Sequence, residues 1–428
     1  MPHIPIDRHQ LPNGLRVILS HDDRAPIVAV NLWYDVGSRH EKPGKTGFAH
    51  LFEHMMFQGS ANVAKGEHFD LVQAAGGSLN ATTWLDRTNY FETMPSHELE
   101  LALWLESDRL GGLLPAMTQE KLDNQRDVVK NERRFSVDNQ PYGTWDEKLQ
   151  GLLFPETHPY HHPTIGSMED LDAASLDDVR EFFTAHYAPN NAVLTIAGDF
   201  EPGPALEMIE KHFGPIPANP AIPEAPPTEV DPIIGAEVRQ EVPDRVPLPR
   251  IYAAYRMPIF GSEGFNALEV AVDLLGSGRA SRLYRSLVRE QQVAQDVTTF
   301  AFPVIGGAAI FTIWVTARPG VGHDSLEAAL WAEVDALAGE GPSDDELERV
   351  RNLHASGVES SLERISERAD RLSMYACLFD QPEQINTELS RYEAVDAGRV
   401  REAMNASLGP DNRVVLTYLP AESAEGTA

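Results

Sequence analysis

The chain has 428 residues, enough for two or three domains that each bury a core. Its 65 acidic residues against 35 basic ones give a formal charge of −30, which opposes binding to nucleic acid or an anionic membrane and leaves a solvated acidic surface able to attract basic peptides. Cys377 is the only cysteine, so an internal disulfide and a cysteine-based zinc site are excluded, and any metal must be held by histidine and carboxylate.

The start, Met1-Pro2-His3-Ile4-Pro5, has neither a basic nor an apolar leader segment, and no run of about 18 apolar residues follows. The expectation is a cytoplasmic protein, with a periplasmic one as the alternative if a signal peptide has been removed. Pro12-Asn13-Gly14 reads as a turn before a strand at Leu15–Ser20, and Ile27–Gly37 reads as a second strand.

Gly44-Lys45-Thr46-Gly47 then supplies a turn into a helix with an apolar stripe of Phe48, Leu51, Phe52 and Met55. On its other face the string His50-Leu51-Phe52-Glu53-His54 places two imidazoles and a carboxylate at i, i+3 and i+4. Two neutral imidazoles at that spacing reach one divalent ion, with the carboxylate beside the open coordination position. His-x-x-Glu-His is the inverzincin signature.

A helix near Glu67–Ala75 and strands near Ser78–Thr83 and Thr88–Met94 come next. Long helices are expected at Ser96–Leu114, Thr118–Arg134 and Leu176–Tyr187, with Ser96 and Thr118 as N-caps. His158, His161 and His162 form a local cluster that reads as loop residues rather than a second metal site. The stretch from Gly214 to Pro249 is studded with proline, which favours a semi-rigid linker. Beyond it come a strand at Ile251–Met257, a helix at Gly264–Leu275, and strands at Val297–Phe302 and Ala308–Ala317. Helices then fill Leu326–Ala338, Asp344–Leu362 and Glu367–Leu378.

The two halves repeat. Val179-Arg180-Glu181, Pro189, Asn191 and the strand that follows recur as Val400-Arg401-Glu402, Pro410, Asn412 and its strand, at one offset of roughly 220 residues. Strands and helices mix without regular βαβ alternation, so the expected fold is α+β, two duplicated sandwiches of an antiparallel-rich sheet with packed helices. The expected division is a metal-binding domain at 1–214, a linker with an entry strand at 215–249, and a second domain without the motif at 250–428.

A catalytic zinc normally has three protein ligands, so a carboxylate or histidine on another element is missing. Glu132, after the apolar pair Val128-Val129 in a long helix, is a candidate. The chain resembles the pitrilysin, insulin-degrading-enzyme and mitochondrial-processing-peptidase family of zinc metallopeptidases. The resemblance runs through Leu11–Leu15, Gly47–Phe57, Gly76–Ala81, Thr88-Asn89-Tyr90, Val128–Glu132 and Pro163–Ser167. It implies one zinc per chain on His50, His54 and Glu132, Glu53 as general base, and an edge strand at Gly77, Ser78, Leu79, Asn80 and Ala81 that pairs with substrate peptide. Family members often carry glutamate seven residues before the ligand glutamate; here it is Gln125, which keeps hydrogen bonding and removes a charge.

The implied activity is a zinc endopeptidase acting on unfolded or short peptides in a clamshell chamber. The alternative is a non-catalytic core or scaffold subunit, against which the intact motif speaks; a lyase sharing the motif is a much shorter, unduplicated protein. In active members or their partner subunits the second half carries an Arg and, seven residues on, a Tyr. Aligning Ser281-Arg282-Leu283-Tyr284 with the family string puts Val288 and Gln295 at those places. The implied partner is a homologous subunit with Arg and Tyr and without the metal motif, in a heterodimer, a homodimer being the other possibility.

Overall fold

The computed structural model describes residues 3–421; Met1-Pro2 and the last seven residues of the expected second domain lie outside the described residues. Among the described residues no helix is long and apolar enough to cross a membrane. The strands in chain order are β1 (Asp7–Gln10), β2 (Arg16–His21), β3 (Ile27–Tyr34), β4 (Ser78–Thr83), β5 (Thr88–Pro95), β6 (Ala192–Gly198), β7 (Val238–Asp244), β8 (Arg250–Met257), β9 (Ala294–Phe302), β10 (Ala309–Ala317) and β11 (Arg413–Pro420). The helices are α1 (Phe48–Met55), α2 (Glu67–Ala74), α3 (Leu99–Ala116), α4 (Gln119–Arg133), α5 (Trp145–Leu153), α6 (Met168–Ala173), α7 (Leu176–His186), α8 (Pro202–Phe213), α9 (Glu263–Gly276), α10 (His323–Glu340), α11 (Asp344–Glu363), α12 (Ile365–Phe379), α13 (Glu388–Glu393) and α14 (Ala397–Ser407).

The first sheet has the order β1-β2-β6-β3-β5-β4 and the second the order β7-β11-β8-β10-β9. Each contains one parallel pair, β2 with β6 and β7 with β11, and is otherwise antiparallel. Removing β1 leaves one topology twice, so the duplication read from the repeat is the architecture. The match extends to single residues. Asn191 donates to the carbonyls of Asp35 and His186, and Asn412 donates to those of Arg256 and Ser407, each partner lying at the offset that separates the two asparagines. Both side chains lock a strand onto the turn after a helix, which is why this Pro-x-Asn pattern persists in both halves.

Alternation along β3 explains why its sheet needs helices on both faces. Val28, Val30, Leu32 and Tyr34 point into one core with α1, α3, α7 and α8, while Ala29 and Trp33 point the other way against α12. Among the described residues the first compact unit comprises 3–133, 163–226 and 357–388; the second comprises 134–162, 227–356 and 389–421. The contiguous division expected at 214 and 249 follows the strands and differs from these units in two helical segments. Helix α12 comes from the second half of the sequence yet covers the first sheet, and α5 comes from the first half yet covers the second, with Trp145 stacked on Tyr252 at 5.2 Å. A sheet apolar on both sides needs cover on both, and its own half supplies helices for one.

Other expectations need smaller adjustment. Thr118 caps α4 by accepting from the Lys121 amide at 3.3 Å, whereas Ser96 opens a 3₁₀ turn and turns its hydroxyl to Asp199.

Candidate metal centre

Helix α1 is held at its start by backbone that only glycine allows. Gly47 is left-handed at φ 84°, and a Cβ there would meet the Ile165 carbonyl at 2.7 Å; Gly166 faces it so closely that its own Cβ would strike Gly47. This contact seats the Pro163–Ser167 stretch against the helix. The Glu41 carboxylate accepts from the amides of Gly47 and Ala49, at 2.9 and 2.7 Å, and satisfies the orphan donors of the first turn. Phe48, Leu51, Phe52 and Met55 are buried, which turns His50, Glu53 and His54 outward together.

Helix α4 packs on α1. Its buried residues are Leu122, Gln125 and Val129, and Glu132 continues that 3-4-3 spacing, which aims its carboxylate at α1. The apolar pair is split, since Val128 is 41% exposed. His54 Nε2 lies 3.3 Å from Glu132 Oε2 and His50 Nε2 lies 3.8 Å from Oε1. One ligand atom from each of the three residues falls within 4.8 Å of the others.

The electrostatics set the two imidazoles apart. Burial and the neighbouring His54 lower the His50 pKa to about 4, so this imidazole is neutral near pH 7. Burial also acts to lower His54, but its hydrogen bond to Glu132, the charges of Glu132 and Glu53, and a hydrogen bond with Gln125 carry it upward. Glu132 is held below the ordinary carboxylate range by the bond from His54. His50 Nδ1 is buried without a partner, leaving Nε2 as the nitrogen available to an ion. Two imidazole nitrogens and one carboxylate oxygen, with no thiol, are a donor set that fits zinc with an open position.

Glu53 stands apart from these three. Burial raises its pKa, and Thr83 donates a hydrogen bond to Oε2 at 2.5 Å. Thr83 ends β4, which pairs with β5 on one side and is the outer strand of its sheet. Of the residues expected on this edge, Ser78, Leu79, Asn80 and Ala81 are in the strand and Gly77 just precedes it. A Cβ on Gly77 would meet the Thr93 carbonyl at 2.9 Å as well as Met94 Sδ at 2.2 Å, so glycine suits the place where the chain passes so close to β5. Gln125 is buried beside His54, as its place on α4 implies.

A second group, His68, Glu92 and Glu106, also brings ligand atoms together. Here the Arg109 guanidinium forks onto Glu106 and lies 4.2 Å over the Tyr90 ring, so the positive charge is supplied by the protein. His158 and His161 are occupied with the carbonyls of Thr228 and Phe154. Sequence reasoning missed Thr83 and Glu41, because each acts across a turn that only the fold closes.

The insulinase model of peptidase family M16 matches residues 16–150, and the model of the peptidase M16 inactive domain matches residues 173–353. The sequence is 29% identical to the zinc protease PqqE of Helicobacter pylori over 85% of this chain and 82% of that one. It is 24% identical to a probable mitochondrial-processing peptidase subunit beta of Arabidopsis thaliana, over 92% of this chain and 75% of the relative. The crystal structure of a protease from Helicobacter pylori superimposes with a TM-score of 0.91 at 25% identity, covering 97% of this chain and all of the other. With both halves matched in order and the fold shared end to end, the chain belongs to peptidase family M16, the insulinase family.

Proposed function

We propose that this protein is a zinc endopeptidase for unfolded or short peptides and the metal-bearing subunit of a heterodimer. The observation that carries the reading is the convergence of His50, His54 and Glu132, with Glu53 beside the two histidines on one helix and bonded to Thr83. A bound zinc supplies a Lewis acid that polarises a carbonyl and lowers the pKa of water. The chain's own part begins at β4, whose free edge aligns an extended peptide by main-chain pairing. Glu53 accepts a proton from the attacking water and returns it to the leaving amine. Its raised pKa suits both directions of that transfer.

The partner is inferred from what the second unit lacks. Val288 is buried and Arg289 exposed within the π-helical turn Tyr284–Glu290, so the arginine one residue along faces away from the position it would have to fill. Gln295 is exposed and has no phenol to offer. A homologous subunit with the Arg and Tyr and without His-x-x-Glu-His completes the site by binding the reacting peptide, a contribution of several kcal/mol. The non-catalytic alternative draws on the inactive-domain match, but that match spans 173–353 and leaves the motif residues outside it.

The test is hydrolysis of a fluorogenic unfolded peptide by the zinc-loaded chain, alone and mixed with such a partner. Activity that rises strongly on mixing is expected. Full activity from the isolated chain would remove the partner, and no activity in either arm would remove the peptidase.

A further inference from the structure

Glu53 and the edge strand are joined by a contact that neither role requires by itself. The Thr83 hydroxyl donates to Glu53 Oε2, while Oε1 has no hydrogen-bond partner among the described residues. One oxygen is tethered and the other is left without a protein partner. Thr83 is itself well fixed. It pairs with Thr88 across the turn to β5, and the Trp84 amide bonds the Arg87 carbonyl at 2.9 Å to close that turn.

The residue before it is clamped from behind. Arg87 Nη1 donates to the Thr82 carbonyl and to Asn89 Oδ1, both at 2.9 Å, and to the Thr82 hydroxyl. Its guanidinium lies 4.9 Å from the Trp33 ring centre. Asn89 and Trp33 both donate to Asp370 Oδ1, at 3.1 and 2.9 Å, and Asp370 sits on α12. The end of β4 is thus built into the polar layer between the first sheet and its covering helix.

We infer that Thr83 is a positioning residue for Glu53, so that β4 serves at once as the strand that aligns the peptide and as the mount that orients the base. This deepens the peptidase reading and rests on it for the role of Glu53. A carboxylate on a flexible stem samples several rotamers, and fixing one of its oxygens selects the one whose other oxygen faces the open side of the site. A peptide added to the edge of β4 then shares its frame of reference with the base.

The test compares Thr83→Val, which keeps shape and removes the donor, with Thr83→Ser, which keeps the donor. Thr83→Val should lose roughly 10- to 100-fold in kcat with KM within about twofold, as expected for a misplaced base; bound zinc should be unchanged. Thr83→Ser should recover to within about threefold of the parent. Crystal structures of the zinc-loaded parent and Thr83→Val give a readout independent of turnover, in which the Glu53 carboxylate should move in the variant. Parent-like kcat in Thr83→Val, or an unmoved Glu53, overturns the inference. If the parent cleaves no peptide even when mixed with such a partner, the peptidase reading fails separately, and the position of Glu53 in the two crystals decides the Thr83 contact alone.

Discussion

Helices α1 and α9 occupy matching places in the two units, and they differ where the chemistry lies. At the offset that relates Asn191 to Asn412, His50, Glu53 and His54 correspond to Ala271, Leu274 and Leu275, all fully buried. The second unit has turned the polar face into core, while the first leaves its polar face half-buried and opposite a carboxylate. The fold does not need the motif, since one topology is built with it and without it. A helix can carry three polar residues at this depth when an acidic neighbour and an ion satisfy them; otherwise apolar residues are the stable choice.

The strongest way to break this contrast is Glu53→Gln. It should retain zinc and lose turnover by on the order of a hundredfold or more, because proton transfer alone is removed. Peptide cleavage at the parent rate would return Glu53 to the same structural status as Leu274. Next in size is Glu132→Ala, which should weaken zinc binding by more than the roughly 10- to 100-fold typical of groups that only support a ligand. Competition against a chelator measures it, and full zinc retention under conditions that strip His54→Ala would transfer the third ligand elsewhere. Glu92, buried against His68, and Glu120, exposed at the start of α4, are not placed to take over.

The motif, the repeat and most strands were legible because each is local: a 3.6-residue face, a period-2 alternation, a Pro-x-Asn turn. The exchange of α5 and α12 was not, since a helix records that it has an apolar face and not which sheet that face will cover. Asp370 shows the same limit within one site. Nothing near it in sequence marks it as the acceptor for Trp33 and Asn89, residues of the other half. The Thr83 contact was hidden for a similar reason, because a strand-end threonine is ordinary until the fold sets it beside a carboxylate.

The twin asparagines sharpen the comparison where the halves agree. Asn191→Ala and Asn412→Ala each take the donor from two carbonyls, so each should cost about 2–3 kcal/mol. Asn412 is fully buried and its bonds are shorter, at 2.6 and 2.7 Å against 2.9 and 3.2 Å, so its loss should equal or exceed that at Asn191. Denaturant unfolding followed by probes in each unit is the measurement. A cost confined to one variant would mean that the repeat preserves a pattern without preserving its energetics.

The smallest effect separates the units by pH. In the first, the His40 and His186 rings meet edge to face at 5.4 Å, and burial lowers their pKa values to about 3 and about 4. A histidine whose folded pKa lies below its unfolded value near 6.5 folds neutral at no cost above 6.5, and stability is lost as the pH falls from there toward the folded value. In the second unit burial lowers His158 in the same direction, while Glu346 is held at about 2 by Arg282; that pair stabilises above the unfolded carboxylate value near 4.5 and is lost only as the pH falls toward 2. Between pH 7 and pH 5 the Arg282–Glu346 pair is therefore intact while His40 and His186 act against the first unit. His40→Asn, which can still accept from the Gly37 amide as His40 Nδ1 does at 3.1 Å, should recover roughly 1–2 kcal/mol at pH 5 relative to pH 7. Hydrogen exchange resolved by peptide reads the two units separately and should show the gain in strands β3 and β6 and not in β8 and β11. An equal gain in both units would mean that they unfold as one, and no gain would mean that water reaches His40 well enough to hold its pKa near that of a free imidazole.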